Sequence, residues 1–562
     1  MTGQTSPVSR IFKLLKLERK EISAVYFYAI MNGLILLTIP VGIQALIGFA
    51  QTSTASASIV LLIILVVMSV FVAGILQIKQ MQITEKIQQK IFVRYSFEIA
   101  NKIPSLKLTA VDNYYLPELV NRFFDIATLQ KSIAKLLLDF PIAIIQIVLG
   151  LLLLAFYHPV FIAFGMLLVL VIVAILYFSG SKGLESSLQE SAYKYKVAWW
   201  LEEMARIIRS VKFSKSHDFH LEKADENITR YLEARTRHFK ILQIQFKTLV
   251  VFKTMVTTAM LIVGSFLLLN QQLNVGQFIA SEIVILTIIG SVEKIIGNLD
   301  SVYDVLTAVE KIEKITDKEI EKSGTIALLN NDNGLQVVLN NVAFKYQDDP
   351  SFIFKNISFA VQPNEKVCIR GTEGAGKSTL LRLMAASYDD FVGSIQINEV
   401  PIGNYQIQSL RNRIGIMISQ QDIFEGTLME NICMGLTDVK MEEIMLLCKK
   451  TGLSDFLGEL KEGFDTPLNA TGRKLPGHAV KKILLIRALI HKPGLLLLEE
   501  PWSGLETKHQ EQIKKYLLEE LTQTTIIVVT SDEPFAKSCD KIIALQKDGC
   551  EIQLPNKQSF KK

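Results

Sequence analysis

Residues 371–379 read Gly371-Thr372-Glu373-Gly374-Ala375-Gly376-Lys377-Ser378-Thr379, which matches the pattern G-x-x-x-x-G-K-[ST] at every defined position. In such a loop the glycines let backbone N–H groups surround a phosphate chain, the lysine reaches the β- and γ-phosphates, and the following hydroxyl can hold Mg²⁺. The apolar run 367–369 predicts a strand entering the loop, and the run 380–384 predicts a helix whose N-terminal end faces the phosphates. This order favours a nucleoside triphosphate site over a chance glycine-rich turn.

A second signal is the run of four leucines at 495–498, which is followed by Glu499 and Glu500. The leucines predict a buried strand, and the two acids then emerge at its carboxyl end, where open α/β sheets bind ligands. One carboxylate at this place can hold Mg²⁺, and the next can polarise an attacking water. The alternative is a strand that merely ends in solvated acids, and the phosphate loop upstream argues against it.

The composition excludes some classes of protein. The chain has 562 residues, which is too many for one domain, and its net charge of +5 is small for this length. We therefore expect no nucleic-acid partner. All five cysteines lie in the second half without the spacing of metal ligands, which is typical of reduced cytosolic thiols.

The first half contains six apolar stretches long enough to cross a bilayer, which takes about 20 residues. They are approximately 22–49, 58–78, 136–157, 159–179, 249–270 and 278–297. Three of the connections are short and carry no Lys, Arg, Asp or Glu, whereas 79–135 and 182–247 are long and rich in charge. The positive-inside rule then places the two long connections and both termini in the cytoplasm. Basic residues precede the first stretch without a cleavage site, so it is expected to be a retained span rather than a signal peptide.

The two long connections carry apolar residues at helical spacing, so we expect the spans to continue as helices into the cytoplasm. A short cross-helix within 114–125 is expected to dock on a cytosolic domain, with ordinary helix packing as the alternative. Asp139 and Glu282 lie inside spans, where ionisable side chains are costly. Two roles are expected for these side chains: they line a polar cavity, or they make hydrogen bonds between helices.

The sequence thus predicts a multidomain protein, with an all-α six-helix transmembrane domain over 1–312, a linker over 313–334 and an α/β P-loop domain over 335–562. This combination resembles the ATP-binding cassette (ABC) family, and specifically an exporter half-transporter. The resemblance implies that Tyr346 stacks on adenine and that Gln420, in the run 418–421, senses Mg²⁺ and the membrane domain. It also implies head-to-tail pairs of cassettes, with the loop 503–506 crossing the interface between them.

Four positions depart from the family's pattern. The signature, normally Leu-Ser-Gly-Gly-Gln, reads Leu475-Pro476-Gly477-His478-Ala479, so the serine hydroxyl is absent and a side chain stands where backbone approaches phosphate. Ser531 occupies the place of the switch histidine, and the acids that follow it are expected to repel phosphate. Glu499 and Glu506 each stand where the family has Asp. Glu500, the expected catalytic base, is retained.

The resemblance implies ATP-driven export by a dimer, with ATP and Mg²⁺ held by the phosphate loop, Gln420 and Glu499. The departures predict slow hydrolysis and leave open the degenerate half of a heterodimer, which binds ATP while its partner hydrolyses it. An ATP-gated channel or regulator is a third possibility, which no motif in the sequence favours. The expected surroundings are a bacterial inner membrane, a second half-transporter and, as an option, a periplasmic adaptor. The apolar spans fit a lipid, hydrophobic drug or peptide as cargo.

Overall fold

The computed structural model describes residues 7–51, 56–112, 114, 116–215, 218–329, 333–347, 349–418, 422–470 and 475–555. The chain forms two compact units. The first comprises Met1–Pro104 and Tyr114–Lys318, and the second comprises Ser105–Asn113 and Glu319–Lys562. The division at 318/319 falls inside the predicted linker.

The first unit is helical. Its α-helices are α1 (Pro7–Leu17), α2 (Arg19–Leu36), α3 (Thr38–Gln51), α4 (Ser56–Lys102), α5 (Leu116–Val120), α6 (Asp125–Tyr157), α7 (Val160–Arg206), α8 (Ile208–Lys212), α9 (Phe219–Leu269), α10 (Val275–Gly297) and α11 (Leu299–Thr316). A 3₁₀ turn, Asn121–Phe124, joins α5 to α6, and another, Ile103–Ser105, follows α4.

Among the described residues, six helical segments are long and apolar enough to cross a membrane, and each covers one of the six predicted spans to within one residue. The first span is interrupted at Leu37, between α2 and α3, and Pro40 lies in the first turn of α3, where proline is tolerated because the first N–H groups of a helix have no acceptor within that helix. Helix α7 has 47 residues and α9 has 51, so each is about 70 Å or more in length at 1.5 Å per residue. Because the hydrocarbon core is about 30 Å thick, both helices extend well beyond it. The helices thus continue past the candidate spans, and the cytoplasmic location of these extensions stays a prediction.

Polar side chains inside the helices bond to one another. Asp139 accepts a 2.9 Å hydrogen bond from Asn298, and Ser291 donates one of 2.8 Å to Gln146. Asp139 therefore follows the second of the two predicted roles, a hydrogen bond between helices. Glu282 differs, because its Oε1 is a buried atom for which the described residues provide no hydrogen-bond partner.

The second unit is an α/β domain. Its strands are β1 (Val337–Phe344), β2 (Phe354–Val361), β3 (Lys366–Gly371), β4 (Val392–Ile397), β5 (Val400–Pro401), β6 (Ile414–Met417), β7 (Gly426–Thr427), β8 (Pro467–Leu468), β9 (Leu495–Glu499), β10 (Thr525–Val529), β11 (Lys541–Gln546) and β12 (Gly549–Gln553). Its α-helices are α12 (Lys377–Met384), α13 (Ile407–Arg411), α14 (Leu428–Cys433), α15 (Met441–Thr451), α16 (Leu453–Glu459), α17 (Gly477–Leu489), α18 (Thr507–Lys515) and α19 (Glu533–Ser538). A π-helical turn, Tyr516–Glu520, follows α18.

The central sheet has the order β12-β11-β3-β10-β9-β6 and is parallel except for β12. The four leucines of β9 are fully buried, as expected for a parallel strand covered on both faces. Pairing of β10 with β3 and β9 sets Ile369 and Glu499 level with Val529. The phosphate loop and the two acids consequently start at the same edge of the sheet.

The segment 105–113 packs with the second unit. Leu106 forms a β-bridge with Ile320, and the Lys107 amine lies 2.9 Å from Asp389 and 2.6 Å from Asp390. The sequence analysis placed the docking element later, within 114–125, and docking of that stretch on a partner domain stays a prediction. Leu119 of that stretch is buried in the first unit's own apolar cluster, so its helix is already committed to packing there.

Candidate nucleotide-binding site

The phosphate loop connects β3 to α12 as predicted. Gly374 and Gly376 adopt φ of 77° and 85°, a left-handed conformation that residues with side chains rarely take. A Cβ at Gly376 would lie 2.6 Å from side-chain atoms of both Ile353 and Phe354. The loop is thus a cradle that a side chain would fill, and it fits a phosphate chain bound by backbone N–H groups.

Lys377 lies at the start of α12 and turns back over the loop. Its amine donates hydrogen bonds of 2.9 Å to the Gly371 carbonyl and 2.8 Å to the Thr372 carbonyl. These neutral acceptors hold the cation at the mouth of the cradle. A phosphate oxygen, which is charged, is a stronger acceptor for the same amine.

The two side chains predicted to hold Mg²⁺ meet in the structure. The Ser378 hydroxyl donates a hydrogen bond to Oε1 of Glu499, across the gap between α12 and the end of β9. Hydroxyl and carboxylate oxygens are the ligands that Mg²⁺ prefers, together with phosphate oxygens and water. Gln420, the third predicted ligand, lies outside the described residues.

Glu500 is held by residues at the end of β10 and directly after it. Its backbone takes φ of 42°, and its N–H donates to the Val529 carbonyl at 2.9 Å. Its carboxylate accepts a 3.1 Å hydrogen bond from the Thr530 hydroxyl and a 3.0 Å bond from the Ser531 N–H. The sequence analysis missed Thr530. This residue directly follows the apolar run of β10, and the end of that strand lies beside the acids that end β9.

The acids after Ser531 are neutralised. Arg370 lies 2.7 Å from Glu533, and this hydrogen bond lowers the pKa of Glu533. Asp532 lies 2.7 Å from the Lys514 amine and accepts the Phe535 N–H at the start of α19. The sequence predicted that these acids repel phosphate; the structure instead shows each one paired with a cation, which weakens that repulsion.

Tyr346 packs beside the phosphate loop. Its hydroxyl is 3.1 Å from the Thr379 hydroxyl, and its ring meets Phe344 and Tyr388 edge to face. The ring is half-buried, so part of it remains available to stack on a base. The structure therefore brings Tyr346 to the loop, and its contact with adenine stays a prediction.

The segment 475–479, which is predicted to be a degenerate signature, precedes and begins α17. Pro476 is extended at φ −57° and ψ 137° and lies at the N-cap, while Gly477 starts the helix and Ala479 is buried. Proline is tolerated at this end of a helix, so the fold survives the change. His478 is exposed and lines a cavity of about 160 Å³ with residues of α16, α17, α18 and the loop before α18.

Comparisons with known proteins agree with both units. A profile described as ABC transporter transmembrane region matches residues 22–292, and one described as ABC transporter matches 354–503. The fold is similar to that of a bacterial Atm1-family ABC exporter with ATP bound, with a TM-score of 0.85 and 17% identity over 95% of each chain.

Curated relatives are similar over part of their length. One, described as a probable ABC transporter ATP-binding/permease protein of Haemophilus influenzae, is 29% identical over 51% of this chain and 52% of its own. Another, an ATP-dependent lipid A-core flippase of Alkalilimnicola ehrlichii, is 25% identical over 60% of this chain and 57% of its own. The matches thus span little more than half of these relatives. With its six candidate spans, its exporter fold and both profiles on one chain, the protein belongs to the ABC transporters, as a half-transporter that joins a transmembrane region to an ATP-binding domain.

Proposed function

We propose that this chain drives export across a membrane by binding and hydrolysing ATP as one half of a dimer. The observation that carries the proposal is the meeting of Ser378 with Glu499, next to Glu500 and below the phosphate loop. This is the set of groups that a Mg²⁺–triphosphate needs, and the same chain carries six candidate spans. Both termini are then cytoplasmic, and the membrane is a bacterial inner membrane.

The residues of the loop take defined roles in this proposal. The Lys377 amine exchanges the carbonyls of Gly371 and Thr372 for β- and γ-phosphate oxygens. Ser378 and Glu499 separate enough to admit Mg²⁺, which supplies charge neutralisation when bound. Glu500 gives up its hydrogen bond from the Ser531 N–H, and the carboxylate oxygen that is freed polarises the attacking water.

Slow hydrolysis is expected for two reasons: two contacts to the γ-phosphate are missing, and the expected catalytic base is already hydrogen-bonded. Pro476 offers neither a hydroxyl nor an N–H to a γ-phosphate, and Ser531 offers a side chain too short to bridge it. One oriented contact to a transition state is worth about 10²–10³ in rate. In addition, the carboxylate of Glu500 is occupied by Thr530 and Ser531, and those hydrogen bonds must be given up before it acts as a base.

A heterodimer is the second candidate, and the altered signature favours it. In such a pair the phosphate loop of this chain binds ATP as a latch, while the partner contributes an intact signature. The presence of Glu500 argues for some hydrolysis by this chain, because a latch needs no base.

The cargo is proposed to be apolar. The candidate spans have mean hydropathies from 1.8 to 3.3, and one relative is named for flipping a lipid. A lipid, a hydrophobic drug or an apolar peptide fits such spans. A periplasmic adaptor is compatible with export but has no supporting observation.

The experiment uses the full chain purified in lipid vesicles. ATP turnover should disappear in Lys377→Ala and persist in Lys492→Ala, which removes an exposed amine from the same domain. Undiminished turnover in Lys377→Ala overturns the proposal. Purification from the native membrane separates the two candidates, since a homodimer isolates with itself and a heterodimer with a second half-transporter.

A further inference from the structure

One lysine of helix α17 connects this helix to the turn that follows the expected catalytic base. The Lys481 amine donates a 2.6 Å hydrogen bond to the Ser503 carbonyl. The Ser503 N–H in turn donates to the Glu500 carbonyl at 3.3 Å, which closes a turn over residues 500–503. Two hydrogen bonds therefore lead from the side chain of Lys481 to the backbone of Glu500.

The next lysine of the helix is directed elsewhere. The Lys482 amine donates to the Gly452 carbonyl at 2.9 Å and lies 3.2 Å from Nδ1 of His509. These contacts join α17 to the start of α16 and to α18, whereas the contact of Lys481 joins it to the turn 500–503. The two lysines thus hold different parts of the cassette.

Glu500 has a backbone conformation that needs restraint. Its φ of 42° lies in the left-handed region, which is unfavourable for a residue with a side chain. Such a conformation persists only where the surrounding structure enforces it. Residues at the end of β10 and directly after it hold the N–H and the carboxylate of Glu500. Ser503 holds the carbonyl, and Lys481 holds Ser503.

The Lys481 amine also acts on the charge of Glu500. The side chain of Lys481 is half-buried. Burial lowers the pKa of this amine, and the charge of Glu500 acts in the opposite direction. A cation and an anion attract each other more strongly where protein replaces part of the water. The hydrogen bond and this attraction both favour the arrangement in which the turn lies against α17.

The position of Lys481 along α17 adds a second relationship. The helix starts at Gly477, within the segment 475–479 that is predicted to face the ATP of the partner half-transporter. Lys481 follows about one turn later, since an α-helix has about 3.6 residues per turn. One helix therefore extends from the predicted contact with the partner's ATP to the turn that carries the expected base of this chain's own site.

We propose that Lys481 is a positioning residue for Glu500: its bond to Ser503 keeps the turn 500–503 against α17, and this keeps the Glu500 carboxylate oriented for its role as the base. Lys481 itself needs no contact with ATP. Loss of the bond lets the turn relax, so the base is misplaced while the phosphate loop is unchanged. The inference rests on the proposed function for its effect on turnover, because a base has a role only where ATP is hydrolysed.

The first test examines the turn without ATP. Amide hydrogen exchange of the peptide 500–505 is compared between the parent chain in lipid vesicles and Lys481→Met, which keeps the length of the side chain and removes its donor. We expect exchange in this peptide to become about tenfold faster, because hydrogen bonds to charged groups are among the stronger ones. Strand β9 should keep its protection, which excludes general unfolding. Unchanged exchange of the peptide in Lys481→Met overturns the proposal.

A matched control removes an equally short hydrogen bond elsewhere in the same domain. The Lys450 amine of α15 donates to Glu520, in the turn after α18, at 2.6 Å. Lys450→Met should leave exchange of the peptide 500–505 unchanged. An equal acceleration in both variants would mean that the loss of any lysine contact loosens the turn, and it would contradict a specific role for Lys481.

The second test separates positioning from binding. In Lys481→Met we expect kcat for ATP to fall by up to about 10²-fold, the loss that a displacement of about 1 Å can cause. Binding of a fluorescent ATP analogue should stay the same, because the phosphate loop is intact. Lys481→Arg retains a donor and a positive charge and should recover most of the rate. Equal losses of kcat and of binding in Lys481→Met contradict positioning.

The two tests distinguish this inference from the proposed function. A chain that shows no ATP turnover, but whose turn loosens in Lys481→Met, refutes the proposed function alone. A chain that hydrolyses ATP at the same rate in Lys481→Met and in the parent refutes this inference alone.

Discussion

The N–H of Ser531 donates a 3.0 Å hydrogen bond to the carboxylate of Glu500. Ser531, which is predicted to stand in place of the family's switch histidine, therefore holds the expected catalytic base through its backbone. Because a serine side chain is shorter than an imidazole, we expect it not to reach a γ-phosphate from the same place. On this prediction the backbone contact to the base is present, and the phosphate contact of a histidine is absent.

Changing Ser531 to His should restore the missing contact. We expect ATP turnover to rise by up to about 10²–10³-fold, because one oriented transition-state contact is worth that much in rate. The rate is measured as kcat of the full chain in vesicles. Ser531→Ala is the control, since it retains the backbone N–H and should leave the rate unchanged; an equal gain in both variants would refute the explanation.

Shortening Glu499 to Asp should alter the dependence on Mg²⁺. The carboxylate withdraws by about 1.5 Å, one carbon–carbon bond, and loses its contact with Ser378, which leaves room for an ion with octahedral coordination. We expect half-maximal turnover at a several-fold lower Mg²⁺ concentration. Glu506→Asp removes a methylene outside this contact and should have no such effect. A Mg²⁺ dependence that stays the same in Glu499→Asp contradicts the assignment.

A methyl group at Gly376 should abolish nucleotide binding. The residue has φ of 85°, and the new Cβ would lie 2.6 Å from Ile353 and Phe354, so the loop must distort. The conformation alone costs about 1–2 kcal/mol for a residue with a Cβ. Binding of a fluorescent ATP analogue measures the loss. Gly458→Ala, at a helical site with open space around it, should bind normally.

Reversing the charge of Lys107 should destabilise the second unit. The buried amine faces Asp389 and Asp390, so Lys107→Glu replaces attraction by repulsion and should cost about 1 kcal/mol or more. Asp390→Lys in the same chain should restore part of the loss. Thermal unfolding at low and high salt checks both effects, because salt screens exposed partners. Lys322→Glu, an equal charge change at an exposed position, should change the melting temperature little.

The cysteines should resist thiol reagents in the folded chain. Burial raises the pKa of Cys368 to about 12 and that of Cys448 to about 11, and it raises those of Cys433, Cys539 and Cys550 as well. The thiolate, which is the reactive form, is therefore scarce at pH 8. We expect slow labelling at the half-buried Cys550 and none at the other four, against five labels after denaturation. Rapid labelling of more than one thiol in the folded chain contradicts this.

Local sequence was sufficient for the large elements. Runs of apolar residues predicted the six spans, because a bilayer requires a fixed length of helix, and the order of strand, glycine loop and helix predicted the phosphate site. The paired acids after the leucine strand were found in the same way. The break of the first span at Leu37 was not found, since Thr38 and Pro40, which follow it, lie within an otherwise continuous apolar run.

The contacts between distant segments were beyond these patterns. Lys107 contacts Asp389 and Asp390, and Lys482 contacts His509. These residues are far apart in the sequence, and the periodicity of apolar residues within one helix or strand does not predict such contacts. The pairing of Glu533 with Arg370 likewise reversed an expectation of repulsion.

By itself the sequence determined that the chain has a membrane-spanning half and a phosphate-binding half, because hydrophobic length and glycine-loop chemistry are properties of contiguous residues. Only the tertiary structure decided which segment packs with the second unit, how Glu500 is restrained and which imidazole faces an ammonium. Those outcomes depend on side chains far apart in the chain, which folding brings within the few ångströms over which hydrogen bonds and buried charges act.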